Sequence, residues 1–289
     1  MNSFTNMEYK IPQLEPRGFG NEYYNHKIFN FLDDVNLFYS FLSDRSADYF
    51  DGVLVSGRYA FNGQVYNSIG GTIESIKVLS YCGRLNDVFA LTRKLEDAIL
   101  IDLYKTILLK KEEIKIVETD IPIKDILKDS VIRTWTRDTY KLFKYGDLEN
   151  IKTQIESEDN ILGNLLKLKE EDNFRTDCNN NVHYNSWNNF RLNVHELHNI
   201  NKQGVKTLEI IYKIVSKIFA IHFSYTYIQH PEYYSSLDYV NDLDNGSEPI
   251  DGSQYWVASI VQEVFDKYIK TEYKDVADYL VKKELMELK

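Results

Sequence analysis

The chain has 289 residues, 43% of them apolar and 27% charged in mixed sign, which excludes a disordered chain and leaves room for a substantial core. With 34 basic and 44 acidic side chains, its net charge of −10 excludes generic coating of nucleic acid, though a few arginines in a cleft can still hold RNA. Five prolines and 13 glycines are few for this length, and with the Leu-, Ile-, Lys- and Glu-rich runs they predict an all-α (mostly α) helical bundle.

Residues 1–22 read as an irregular N-terminal arm, and 23–289 as a single helical domain with a seam near 112–130. The opening residues have no apolar run of the kind a signal peptide needs, and Glu8 interrupts them early. From Asn25 to about Tyr49 the apolar residues Ile28, Phe29, Phe31, Leu32, Val35, Phe38, Tyr39 and Leu42 recur at threes and fours. Alternation in 53–61 predicts a short hairpin. A second helix is expected from Phe61 to Gly83, and its Gly70-Gly71 pair marks a close helix contact or a bend. The third, Arg84 to Lys111, is the most regular, with Leu85, Val88, Phe89, Leu91, Leu95, Ile99 and Leu103 on one face and Asn86 or Asp87 as its cap.

Residues 112–130 hold Pro122 and read as a connection with one small helix. Helices are expected over 131–144 and 147–158, and ILGNLLKLKEE leads on toward 172. A long helix is expected from Gln203 to Ile228. Its apolar run is broken by Lys213, Lys217 and His222, which suits a buried helix and not a membrane span. Residues 231–253 read as a long loop, followed by amphipathic helices over 254–269 and 273–288.

The segment DNFRTDCNNNVHYN (172–185) draws attention next. In a helix, Arg175, Asn179 and His183 fall four apart and form one polar stripe, beside an apolar stripe of Phe174, Cys178 and Val182. A guanidinium can clamp a phosphate, and an imidazole can take the proton of an RNA 2′-hydroxyl or return one to a leaving oxygen. Asn179 between them can fix the imidazole or hold a phosphate oxygen. The plainer alternatives are a solvated helix face and a partner-binding face.

Arg175 and His183 with an interposed asparagine, in a helix of an all-α chain, resemble the HEPN superfamily of helical ribonucleases, which includes bacterial toxins and abortive-infection proteins. Seven residues separate Arg175 from His183, a longer gap than that family's usual one. The resemblance implies a cytoplasmic, metal-independent endoribonuclease of phage defence or of a toxin system. It assigns phosphate binding to Arg175 and acid/base work to His183. RNA is then the substrate, with no cofactor, no metal and no membrane. An antitoxin or other protein partner is implied, as is a homodimer that brings two motifs together. Residues 68–104 and 252–269 are also similar to stretches of uncharacterised bacterial proteins of this size, a resemblance that implies no particular activity.

Arg93, Glu96 and Asp97 stand at i, i+3 and i+4 on the most regular helix. They form an intrahelical ion pair or, alternatively, Glu96 or Asp97 faces the 175–183 stripe and orients it. His195 and His198 have helical metal spacing, but no further ligand pattern accompanies them. His222 and His230 read as satisfied core or boundary histidines. Arg133 and Arg137 around Trp135 suit a surface helix, or a contact to a phosphodiester or a stacked base. Asp238, Asp242, Asp244 and Asp251 do not follow a calcium-loop pattern. Cys82 and Cys178 are expected to be free thiols. No phosphate-cradling glycine loop, nucleophile elbow or kinase motif is present. Beside the ribonuclease stands a second reading, a non-catalytic helical scaffold or sensor that binds a protein partner through its acidic surface and tyrosine-rich faces.

Overall fold

The computed structural model describes residues 18–48, 56–118, 174–183 and 201–289, together with 153, 187, 189 and 192–193. Its helices are α1 (Asn21–Tyr24), α2 (Ile28–Asp48), α3 (Ser56–Tyr81), α4 (Leu85–Glu118), α5 (Phe174–Val182), α6 (Asn201–Gln229), α7 (Asp238–Asp244), α8 (Ser259–Val264) and α9 (Lys274–Lys282). The expected helix over 131–144, that over 147–158 except for residue 153, the Arg133/Arg137 pair, His195 and His198 lie outside the described residues, as do most of the N-terminal arm and of the 112–130 seam.

Among the described residues there is no strand. The hairpin expected over 53–61 is replaced by the first turns of α3 from Ser56 onward, while 53–55 lie outside. Alternation over so short a stretch is a weak signal, and the helical pattern that follows overrides it. A single antiparallel bridge joins Ser235 to Val257.

α2, α3, α4 and α6 form the bundle. All eight apolar positions that define the α2 pattern are buried. His26 starts the helix, because its Nδ1 accepts the Ile28 N–H at 3.2 Å, one of the amides a helix start leaves without an internal partner. α3 ends in a left-handed Gly83 (φ 68°), with Arg84 N–H bonded to Leu79 C=O at 2.8 Å and Gly83 N–H to Ser80 C=O at 2.9 Å. This is a Schellman closure, and glycine takes the positive φ without strain.

The two neighbouring glycines differ in role. A Cβ on Gly70 would stand 3.0 Å from Asn36 Oδ1 on α2, whereas one on Gly71 would meet nothing within 4 Å. Gly70 therefore sets the α2–α3 approach, and Gly71 faces open space.

α6 is buried on nearly all sides, by Leu208, Ile211, Val215, Ile218, Phe219, Phe223 and Tyr227 among others. That explains its apolar run without a membrane, and no described helix is long and apolar enough to cross one. The expected loop 231–253 contains two 3₁₀ turns, Pro231–Tyr234 and Ser253–Tyr255, and the short helix α7. After α8 the chain loosens into a π turn over Phe265–Lys270. α9 stops at Lys282, short of the expected 288. The chain then runs on until Met286 and Leu288 bury against the core, where the Tyr227 hydroxyl donates to the Met286 carbonyl at 3.2 Å.

Candidate functional site

α4 carries two polar clusters, one at each end of its buried face. The first lies toward its N-terminus, where α5 packs on it. Immediately before its first residue, Arg84 pairs with Asp87 at 2.9 Å. Asn193 then holds the helix start from outside, accepting the Asn86 N–H at 3.1 Å and donating to Asp87 Oδ1 at 2.7 Å.

One to two turns on, Arg93 Nε lies 3.4 Å from both oxygens of Asp97 and 3.9 Å from Glu96 Oε2. Its Nη1 donates to Asn179 Oδ1 on α5 at 3.2 Å. The expected intrahelical pair therefore forms, and it also reaches the stripe. Arginine can only donate, so Asn179 accepts through Oδ1, and its amide NH₂ takes no part in this bond.

α5 has the helical register on which the stripe depends. His183 follows its last turn, and the His183 N–H bonds to the Asn179 carbonyl at 2.9 Å. Asn179 and His183 are both exposed. Arg175 lies one turn earlier on the same helix, and its side chain is outside the described atoms. Glu96 is fully buried beneath Arg93. A carboxylate there can orient Arg93, but it does not stand on the exposed face beside His183.

The apolar stripe needs correction. Cys178 is fully buried, but Val182 is 39% exposed and Asn181 takes the inward place instead. Asn181 Nδ2 donates back to the Asp177 carbonyl at 2.9 Å, which lets a polar side chain turn inward. The spacing i to i+3 describes the buried edge of α5 better than i to i+4. Cys82 and Cys178 are both free thiols and buried.

The second cluster is wholly interior and was not foreseen as a unit. Tyr39 (α2), Asn62 (α3), Asp102 and Lys105 (α4), His222 (α6) and Tyr233 are all buried. His222 Nε2 lies 3.0 Å from Asp102 Oδ2, and its Nδ1 lies 2.7 Å from the Tyr39 hydroxyl. A carboxylate only accepts, so Nε2 donates to Asp102, and Nδ1 shares the other hydrogen bond with the Tyr39 hydroxyl. Lys105 Nζ bonds to the other Asp102 oxygen and to Asn62 Oδ1 at 2.6 Å, and Asn62 Nδ2 donates to the Tyr233 hydroxyl at 3.1 Å.

Burial works against ionisation of Asp102, yet Lys105 and His222 outweigh it and hold the carboxyl far below its usual range. Burial, reinforced by the Asp102 charge, keeps Tyr39 protonated far above the ordinary phenol range. The Asp102 and Lys105 charges offset each other, and hydrogen bonds link all six side chains. The cluster fastens four helices and a turn, and none of its six members is exposed to meet a substrate. A signal was available, since Asp102 and Lys105 interrupt the apolar face of α4 at i and i+3.

Among the described residues no three His, Cys, Asp or Glu side chains converge as metal ligands. Compared with protein-family models, curated proteins and solved structures, the chain matches none.

Proposed function

We propose that the exposed face of α5 is the working site of a metal-independent, HEPN-like endoribonuclease of bacterial phage defence or of a toxin system. The observation that supports this most is the helical register carrying Asn179 and His183 on one exposed face, with Arg93 brought against Asn179 from α4. His183 takes the proton of an RNA 2′-hydroxyl as its oxygen attacks phosphorus. The bond from phosphorus to the 5′-oxygen breaks, that oxygen collects a proton, and a 2′,3′-cyclic phosphate remains. Arg175 clamps the phosphate. Asn179 donates from its NH₂ to a phosphate oxygen, because its carbonyl is engaged by Arg93. Glu96 and Asp97 steady Arg93 and partly neutralise it, so Arg175 has to supply the free positive charge.

The test is expression of wild type and His183→Ala in a sensitive host, with growth and total RNA integrity measured. RNA loss in the wild type alone supports the site. Loss that persists in the variant removes His183 from it. No damage from either protein, even after phage challenge, favours the second reading, a scaffold or sensor binding protein through its acidic surface. That reading draws on α7, which buries none of its own residues.

A further inference from the structure

The carboxylates are unevenly distributed. Residues 218–266 contain no Lys or Arg but eight acids, Glu232, Asp238, Asp242, Asp244, Glu248, Asp251, Glu263 and Asp266, against a net charge of −10 for the whole chain. Among the described residues no cation pairs with the side chains of Asp238, Asp242, Asp244, Glu248 or Asp251. They do not converge on a point as metal ligands would.

The same stretch exposes large apolar side chains. Val240 is 40% exposed, Leu243 52%, Ile250 61% and Tyr255 50%. Val240 and Leu243 stand at i and i+3, on one face of α7, and α7 packs beside the Ser253–Tyr255 turn. A seven-residue helix is not self-sustaining in water, and α7 buries nothing of its own. Its N-terminal side is set by Leu237 in the left-handed region (φ 68°), a conformation that strains a branched side chain. Beside it opens a cavity of about 590 Å³ with Asp238, Trp256, Glu287 and Lys289 among its walls, and Lys289 Nζ lies 4.0 Å from Glu287 Oε2, which leaves Asp238, among the described residues, as the acid there without a cation.

We propose that this face docks a basic, amphipathic segment of a partner polypeptide. Apolar residues of the partner cover Val240, Leu243, Ile250 and Tyr255, and a lysine or arginine enters the cavity on its Asp238 side, against the Trp256 ring and away from Lys289. Nucleic acid and anionic membranes are repelled by the same carboxylates. A single metal ion would satisfy neither the spread of the acids nor the apolar residues between them. The proposal deepens the protein-binding reading and does not depend on ribonuclease activity.

The experiment titrates the full-length protein into a labelled short peptide with leucines on one helical face and arginines on the other, read by fluorescence anisotropy. Val240→Asp/Leu243→Asp is the decisive variant, because it removes apolar contact while adding negative charge. Both side chains are exposed, so the variant should keep the wild-type circular dichroism spectrum. Wild type should bind, the double variant about tenfold more weakly or worse, and a peptide with Glu in place of Arg not at all. Equal or tighter binding by the double variant overturns the proposal, since charge alone would then suffice. So does no binding by wild type, or a wild-type dimer that the double variant dissolves, which would assign the face to a second copy. RNA cleavage is read on the same preparations. Its absence counts against the ribonuclease and leaves the docking result standing.

Discussion

Two polar clusters sit on one helix and differ in almost every physical respect. Asp102 and Lys105 of α4 are buried, linked through His222, Tyr39 and Asn62, and neutral as a pair. Arg93 and Asp97, farther toward the N-terminus of the same helix, are partly exposed and reach across to a short surface helix. A buried ion pair is costly to disrupt by halves, because the remaining charge is stranded in a low-dielectric interior. A surface pair is worth little, since water replaces each partner. Polar side chains on a core helix therefore do not by themselves mark a reactive site. Solvent access separates the cluster that holds the fold from the one that can meet a substrate.

The largest effect is expected at Asp102. Asp102→Ala leaves Lys105 buried without its carboxylate and should cost about 3–5 kcal/mol in urea unfolding. Asp102→Leu/Lys105→Met removes both charges together and should cost clearly less. A double variant as damaging as the single would refute the stranded-charge explanation. His222→Phe comes next, at about 1–3 kcal/mol, because Tyr39 and Asp102 each lose a partner.

Acid sharpens the contrast further. The Asp102 carboxyl is depressed in the fold, so its contribution is complete above the unfolded value of about 4 and is lost as pH falls below it. In Asp102→Asn that part of the acid loss should be missing. His26 behaves similarly at higher pH. Burial lowers its pKa despite the opposing pull of Glu209, and protonation would end its acceptance of the Ile28 N–H. The stability it contributes is complete above about 6.5 and declines as pH falls through its depressed folded value. Measuring the unfolding midpoint of His26→Gln against pH checks this.

The smallest effect is expected where α5 meets α4. Asn179→Ala and Asp97→Ala should each change stability by about 0.5 kcal/mol or less. A loss of several kcal/mol at either would show that this contact holds the fold and would weaken its candidacy as a site.

Much of the bundle was legible in the sequence. The α2 and α4 faces follow a clean 3.6-residue period, and local periodicity is what dictates their burial. Gly70 was legible as a close contact, but its neighbour Gly71 has the same composition and none of the role, which only the facing helix decides. His222 was readable as a satisfied core residue. Its partners were not, since Tyr39 and Asp102 are far away in sequence and meet it only through the tertiary fold. In α5 Asn179 and His183 are exposed as the spacing implied, while the apolar stripe shifts, because the short helix turns Asn181 inward where Val182 was expected. The partnership of Arg93 with Asn179 spans two helices, and an intrahelical spacing rule has no means of finding it.

The most direct test of the α5 face uses purified protein and a labelled single-stranded RNA in EDTA, comparing wild type with His183→Ala at matched unfolding midpoints. The account predicts wild-type products ending in 2′,3′-cyclic phosphate and their loss in the variant. Equal cleavage by both, or cleavage only when a divalent metal is supplied, would contradict it.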